Sequence, residues 1–152
     1  NDEGIRLYSL GRYADAVPYF EEAARMFPED AVYRRNYGYT LFLAGQEAEA
    51  LIQLQRALEL DPEQALTYAN LGQVRLALGD TTAAIRYYEE YLERETNEQN
   101  RENVQAILRE IEVAQNPDVP LLGEPLPTPV PGDPRIPIDT GPSVALPPGD
   151  GF

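Results

Sequence analysis

Residues 31–64 have the sequence AVYRRNYGYTLFLAGQEAEALIQLQRALELDPEQ, and this stretch decides the fold because the rest of the chain repeats its pattern. When the sequence is shifted by 34 residues, small residues coincide on both sides of the stretch. The aligned sets are Gly4, Gly38 and Gly72; Gly11, Gly45 and Gly79; and Ala16, Ala50 and Ala84. A fixed period of this length indicates a repeat architecture in which each repeat is one supersecondary unit.

The residue types at these positions predict that each unit is a pair of helices. The first glycine and the alanine mark a place where two helices pack closely, because a large side chain there would hold them apart. The second glycine ends the first helix, since glycine readily adopts the left-handed conformation. Asp80 directly precedes the second helix of the third pair. We interpret Asp61-Pro62 as an N-cap and first turn of a helix. Pro18 falls inside a helix, where we expect a tolerated kink.

Three helix pairs and one further helix follow from this pattern. The predicted pairs are residues 1–10 with 13–27, 31–44 with 47–60, and 65–78 with 81–95. In residues 99–116 the apolar side chains recur at i, i+3, i+4 and i+7, which predicts an amphipathic helix. These side chains are Val104, Ile107, Leu108 and Ile111. A helical array needs at its end a helix with one apolar face and one solvent-exposed polar face. We therefore interpret this helix as a cap.

The spacing and the residue types resemble the tetratricopeptide repeat family over residues 1–98. The resemblance implies an all-α fold, a right-handed α–α superhelix of three helix hairpins that the capping helix completes. The predicted organisation is three repeats at 1–30, 31–64 and 65–98, a capping helix at 99–116, and a proline-rich extended tail at 117–152. The first repeat lacks its opening residues and the chain begins at Asn1 without Met, so we expect a trimmed or processed chain.

The composition changes at the tail. Residues 117–152 contain 11 of the 14 prolines and 5 of the 11 glycines, and the run PLPTPVP at 125–131 favours polyproline II. Such a segment alone cannot bury enough apolar surface to become ordered. We therefore expect it to be ordered by docking on the groove of a neighbouring copy or on a different subunit; the alternative is a linker to a further domain.

Charge and composition exclude several classes of function. The net charge is −14 and all 12 basic residues are Arg, which argues against binding to nucleic acid or to an anionic membrane. Cysteine and histidine are absent, so thiolate chemistry and the commonest general base and metal ligand are missing. We predict a protein that is not an enzyme, without catalytic residues, cofactor or metal. Nothing fixes the compartment, although we favour the bacterial cell envelope, periplasm or exterior over the cytoplasm.

The resemblance also implies a binding site, because in this family the first helix of each repeat lines a concave groove. The candidate groove residues carried over to this chain are Tyr8, Arg35, Asn36, Tyr39, Phe42, Asn70 and Gln73. Asn36 and Asn70 occupy equivalent positions, and an amide donates and accepts at once, so the pair suits the backbone of an extended peptide. The aromatic rings of Tyr8, Tyr39 and Phe42 can pack against the proline rings of a ligand. The alternatives are that Asn is common at this family position and that the rings serve inter-helix packing.

Two hypotheses for the partner remain open. Family members that clamp an acidic chaperone C-terminus use basic residues at positions that here hold Asn1, Leu66 and Asn70, and only Asn36 matches. We therefore predict an adaptor or scaffold whose groove binds an uncharged segment of another protein, either proline-rich or aliphatic. The alternative is a structural subunit of a homo-oligomer or fibre, in which the tail of one copy docks on a neighbour.

Overall fold

The computed structural model describes residues 2–116, and the tail predicted for 117–152 lies outside the described residues. The described part contains seven α-helices and no strand, so the predicted all-α fold of helical hairpins is confirmed. The helices are α1 (Asp2–Ser9), α2 (Tyr13–Met26), α3 (Ala31–Leu43), α4 (Glu47–Leu60), α5 (Ala65–Ala77), α6 (Thr81–Arg94) and α7 (Glu98–Gln115). The division into repeats and cap with the boundaries given above stays a prediction.

The described helices belong to two compact units, residues 2–62 and residues 63–116. In the first unit α1 packs against α2, α2 against α3, and α3 against α4. In the second unit α5 packs against α6, and α6 packs against α7. Within each unit, consecutive helices therefore pack against each other, as short connections between consecutive elements favour.

The aligned glycines lie where helices approach most closely. A Cβ atom on Gly38 would lie 2.9 Å from Cγ of Leu54, and one on Gly72 would lie 2.7 Å from Cε1 of Tyr88. Both distances are shorter than side-chain contacts allow, so the neighbouring helix occupies the space that a side chain would need. Ala50, one of the aligned alanines, is fully buried. The close packing predicted from the small residues is present.

The second aligned glycine of each repeat ends a helix in the left-handed conformation. Gly11, Gly45 and Gly79 have φ values of +72°, +80° and +78°. The residue after each glycine donates its backbone N–H to a carbonyl oxygen five residues earlier, which satisfies one of the carbonyls that a helix end leaves unpaired. These bonds join Arg12 to Leu7, Gln46 to Leu41, and Asp80 to Arg75.

Two aspartates cap helix starts, and one predicted cap is wrong. Asp30 caps α3 and Asp80 caps α6 through their carboxylates. Asp61 instead follows the end of α4, and its backbone N–H still donates to the carbonyl oxygen of Ala57. It cannot start α5, because that helix begins only at Ala65. The sequence Asp-Pro is compatible with both a helix start and a connection, and here it forms the connection.

Candidate functional site

The seven candidate groove residues lie on the first helix of each hairpin, but in two units. The first unit holds Tyr8 on α1 and Arg35, Asn36, Tyr39 and Phe42 on α3. The second unit holds the remaining two, Asn70 and Gln73, on α5.

A buried guanidinium and an amide form the polar part of the first cluster. Only 2% of Arg35 is exposed, and its Nε and Nη2 donate to Oδ1 of Asn36 at 3.3 Å and 3.0 Å. Hydrogen bonds of this kind offset part of the cost of burying a charge. They also engage the oxygen of the Asn36 amide, whose Nδ2 group is a hydrogen-bond donor.

Two aromatic rings of α3 pack against each other beside this pair. The ring centroids of Tyr39 and Phe42 are 6.0 Å apart with a tilt of 41°. Their exposed fractions are 5% and 2%. Such low exposure favours the packing role for these rings, which the sequence left open, over a role as a freely exposed aromatic wall.

Tyr8 joins the cluster from α1. Its ring packs against Tyr13 and Phe20 of α2, with centroids 5.3 Å and 5.8 Å away. Burial raises the pKa of Tyr8, electrostatic interactions with Tyr39 and Tyr13 raise it further, and the Arg35 guanidinium lowers it. The hydroxyl is therefore neutral at physiological pH, and it is buried without a hydrogen-bond partner. A neutral hydroxyl offers both a donor and an acceptor to a ligand.

The second cluster consists of two amides on α5. Asn70 and Gln73 are separated by three residues and therefore lie side by side on one helix face. Their exposed fractions are 5% and 4%. Neither Oε1 nor Nε2 of Gln73 has a hydrogen-bond partner. A buried donor or acceptor left unsatisfied costs about 1–3 kcal/mol, so this amide is held in an unfavourable state.

A cation–π contact in the second unit was not predicted from the sequence. The guanidinium carbon of Arg94 lies 4.3 Å from the ring centroid of Tyr68, and Arg94 also donates to Glu90 Oε2 at 2.7 Å. Burial raises the pKa of Tyr68, although the Arg94 charge opposes the increase. Tyr68 precedes Gly72 by four residues and so lies on the same helix face, which packs on α6. This spacing is the signal that could have identified it.

Two further findings concern metal binding and membrane crossing by residues 2–116. No group of three or more His, Cys, Asp or Glu side chains there could hold a metal ion. None of the seven helices described combines the length and the apolar character that crossing a membrane requires.

Comparisons with known proteins agree with the fold. One family model described as "Tetratricopeptide repeat" matches residues 1–65, and a second with the same description matches residues 54–86. No match was found among curated protein sequences. The first TPR domain of Spaghetti (RPAP3), bound to the HSP90 peptide SRMEEVD, is 24% identical with a TM-score of 0.66, covering 75% of this chain and 88% of its own. The Sgt2 TPR domain from Aspergillus fumigatus is 22% identical with a TM-score of 0.65, covering 81% and 83%.

Proposed function

This chain belongs to the tetratricopeptide repeat family, and we propose that it is a non-catalytic interaction module that binds an extended segment of a partner protein. The observation that carries the proposal is the polar cluster of Tyr8, Arg35 and Asn36 at predicted groove positions of the first unit. The similar domain of Spaghetti (RPAP3) holds a peptide, which supports a peptide as the class of ligand.

The chemistry of the cluster complements a peptide backbone. The Tyr8 hydroxyl has unused hydrogen-bonding capacity. The Asn36 amide, whose Oδ1 accepts from Arg35, carries a further donor in its Nδ2 group. Each backbone residue other than proline offers one N–H donor and one carbonyl acceptor. Binding a backbone would therefore satisfy the Tyr8 hydroxyl, which the free protein leaves unpaired, and this is the source of affinity that we propose.

We propose that the ligand is uncharged and either proline-rich or aliphatic. The net charge of −14 repels an acidic ligand as it approaches. The guanidinium of Arg35 is already engaged with Asn36. Leu66 and Asn70 occupy two of the positions at which clamp-type family members carry basic side chains.

Two heptapeptides of matched length test the ligand class by fluorescence anisotropy with the full chain. One is PLPTPVP, the sequence of residues 125–131, acetylated and amidated so that it has no terminal charge; the other is SRMEEVD. We expect PLPTPVP to bind more tightly. Tighter binding of SRMEEVD would overturn the proposed ligand chemistry, and absence of binding by both would overturn the proposed function.

A matched pair of variants locates the binding on the first unit. Asn36→Ala should weaken binding of PLPTPVP about fivefold, because one hydrogen bond contributes on the order of 1 kcal/mol. Asn103→Ala on α7 is the control and should leave the dissociation constant unchanged. Circular dichroism of both variants should retain the helical content of the parent. Equal affinities of parent and Asn36→Ala would remove Asn36 from the site.

A further inference from the structure

A single carboxylate joins the last turn of α6 to the first turn of α7. Oε2 of Glu95 accepts hydrogen bonds from the Tyr91 hydroxyl at 2.8 Å and from the Asn100 amide at 3.0 Å. Oε1 of Glu95 accepts from the backbone N–H of Asn97, the N-cap of α7, at 2.8 Å. We call these four residues the α6–α7 joint, and all of its hydrogen bonds to α7 reach the start of that helix.

Two titratable side chains face this carboxylate, one from each helix. Arg101 of α7 donates to the backbone oxygens of Leu92 and Glu95, so its charge lies at the joint. Tyr91 of α6 is fully buried, and burial together with the hydrogen bond to Glu95 raises the pKa of its hydroxyl, which stays neutral. Glu98, in the first turn of α7, is exposed to solvent. Within the joint, Glu95 is therefore the group whose protonation alters the hydrogen bonds.

Protonation of Glu95 weakens the joint. A carboxylate only accepts, whereas a protonated carboxyl carries a hydrogen on one oxygen. All three partners donate to Glu95, so the new hydrogen faces a donor on whichever oxygen it sits, and the remaining bonds lose the strength that the charge gives them. Although burial raises the pKa of Glu95, the hydrogen bonds hold it below its usual value. The joint is therefore intact at neutral pH and weakens as the pH falls through the folded-state pKa.

Beyond its first turn, α7 packs against α6 through one apolar face. The exposed fractions of Val104, Ile107 and Ile111 on this face are 0%, 0% and 5%. The contact between α5 and α6 is closer, because a Cβ atom added to Gly72 would lie 2.7 Å from the Tyr88 ring. Elements with fewer close contacts open at a lower free energy than the rest of a domain, so α7 is the helix of this unit that opens first.

We propose that Glu95 is an acid-sensitive latch for α7. When its carboxylate gains a proton, α7 detaches from α6 while the hairpin of α5 and α6 stays folded. The detached helix exposes Val104, Ile107 and Ile111 together with the face of α6 that they cover. A helical array without its cap presents an apolar end, so acid converts this end of the unit into a surface that can associate. The latch is independent of the proposed peptide binding.

A single introduced thiol can report the opening of one helix, because the chain contains no cysteine. Val104→Cys introduces the thiol on α7, and Val74→Cys introduces it on α5. The two valines are both fully buried, so the variants form a matched pair. A buried thiol is alkylated only while its helix is open, and the rate follows the open fraction when opening and closing are fast. The pair therefore reports α7 and the hairpin separately.

The first test measures alkylation at pH 7 in the presence of Glu95→Gln, which resembles the protonated carboxyl in shape and carries no charge. Added to Val104→Cys, it should speed labelling about tenfold, because charge-assisted hydrogen bonds are lost. Added to Val74→Cys, it should leave the rate unchanged. Glu89→Gln, at an exposed site on α6, is the control and should change neither rate. Equal acceleration at both positions, or none at Val104→Cys, would overturn the latch.

The second test lowers the pH from 7 to 3 and uses a dipyridyl disulfide, which reacts with thiols in acid as well. Each rate is divided by that of the same variant unfolded in urea at the same pH, which removes the effect of pH on the thiol itself. Protection should be lost at a higher pH in Val104→Cys than in Val74→Cys. With Glu95→Gln added, protection of Val104→Cys should already be low at pH 7 and should change little.

A second probe on α7 guards against an unstable variant. Ile107→Cys, also at a fully buried position, repeats both measurements if Val104→Cys fails to fold. Loss of protection at the same pH on α7 and α5 would show global unfolding in place of a latch. Protection on α7 that persists to the pH at which the hairpin unfolds would overturn the proposal as well.

Discussion

Gly38 and Gly72, which leave no room for a Cβ atom, set the distance between the helices of the hairpins α3–α4 and α5–α6. At Gly38 the nearest atoms belong to Leu54 and Gln53 of α4, and one of them is the backbone nitrogen of Leu54, 3.1 Å from an added Cβ. A backbone atom cannot rotate away as a side chain can. Any substitution at Gly38 must therefore push α4 outward, and the strain cannot be absorbed locally.

We predict that Gly38→Leu and Ala50→Leu each lower the free energy of unfolding by about 1–3 kcal/mol, because both overpack the α3–α4 contact. Denaturation by urea, followed by circular dichroism, measures the change. Ala48→Leu, at an exposed position of α4, is the control and should be nearly neutral. Unchanged stability in both test variants would mean that the repeat register assigned here is misplaced.

Asp30 is a second residue that contributes to stability locally, through its carboxylate at the start of α3. Its Oδ1 accepts from the backbone N–H of Val32 at 2.8 Å, which satisfies a donor at the start of α3. Asp30→Ala should destabilise the protein by about 1 kcal/mol, as the loss of such a cap typically does. Asp30→Asn retains a capping oxygen and should be close to the parent in thermal denaturation. Equal losses for the two variants would indicate that the charge, rather than the cap, is what matters.

At the scale of elements, Glu95 links α6 to α7. Its Oε2 accepts from the Tyr91 hydroxyl at 2.8 Å and from the Asn100 amide at 3.0 Å, while Oε1 accepts from the backbone N–H of Asn97 at 2.8 Å. Burial alone would raise the pKa of Glu95, but these hydrogen bonds to the charged form outweigh it and hold the pKa below its usual value. The ionised carboxylate therefore stabilises the folded state.

This lowered pKa predicts a loss of stability in acid. Because the folded-state pKa lies below the unfolded one, the contribution is fully present above about pH 4.5 and is lost as the pH falls through the folded value. Melting temperatures measured from pH 7 to pH 3 should fall less steeply for Glu95→Gln than for the parent, although the variant starts lower at pH 7. Glu89→Gln, at an exposed site on α6, should follow the parent curve. Parallel curves for parent and Glu95→Gln would contradict the assigned role.

The helices were predictable from sequence to within a residue or two where their ends carry local signals. The glycine that ends α3 allowed residues 31–44 to be predicted, against Ala31–Leu43 in the structure. The Asp61-Pro62 pair misled, because Asp61 is the residue that follows the end of α4, and α5 begins only at Ala65. Local sequence signals predict a helix end that needs a left-handed backbone conformation. They do not decide whether a sequence such as Asp-Pro starts a helix or forms a connection.

The positions of the candidate site residues on the helices were predictable from the sequence, but the hydrogen bonds and burial of their side chains were not. Helical periodicity places Arg35, Asn36 and Tyr39 on α3, yet the bond from Arg35 to Asn36 depends on how both side chains are buried. The unpaired amide of Gln73 is likewise a property of packing, since nothing in the sequence distinguishes it from an exposed glutamine. Such features require the tertiary structure, and the roles of these residues in binding stay predictions.

At the scale of the whole molecule, two predictions concern assembly and location. The first is that the proline-rich tail docks on a neighbouring copy, which size-exclusion chromatography with light scattering would detect as a mass above that of one 17.0 kDa chain. A head-to-tail contact of this kind either closes into a ring or continues into a fibre. The second, a location in the bacterial cell envelope or outside the cell, can be tested by fractionation of the source cells.

The excess of negative charge lowers the stability of the folded chain through repulsion. Several arginines form exposed ion pairs within one helix, such as Arg6 with Glu3 and Arg25 with Glu22, and exposed pairs contribute little. Repulsion from the net charge of −14 therefore outweighs them, and it weakens as salt shortens the screening length from roughly 30 Å at 0.01 M to about 10 Å at 0.1 M.

Raising NaCl over this range at pH 7 should raise the melting temperature by a few degrees, measured by circular dichroism. The increase should shrink as the pH approaches the isoelectric point near 4.3, where the repulsion disappears. A melting temperature that falls with salt would mean that the ion pairs, not the repulsion, dominate the electrostatic contribution to stability.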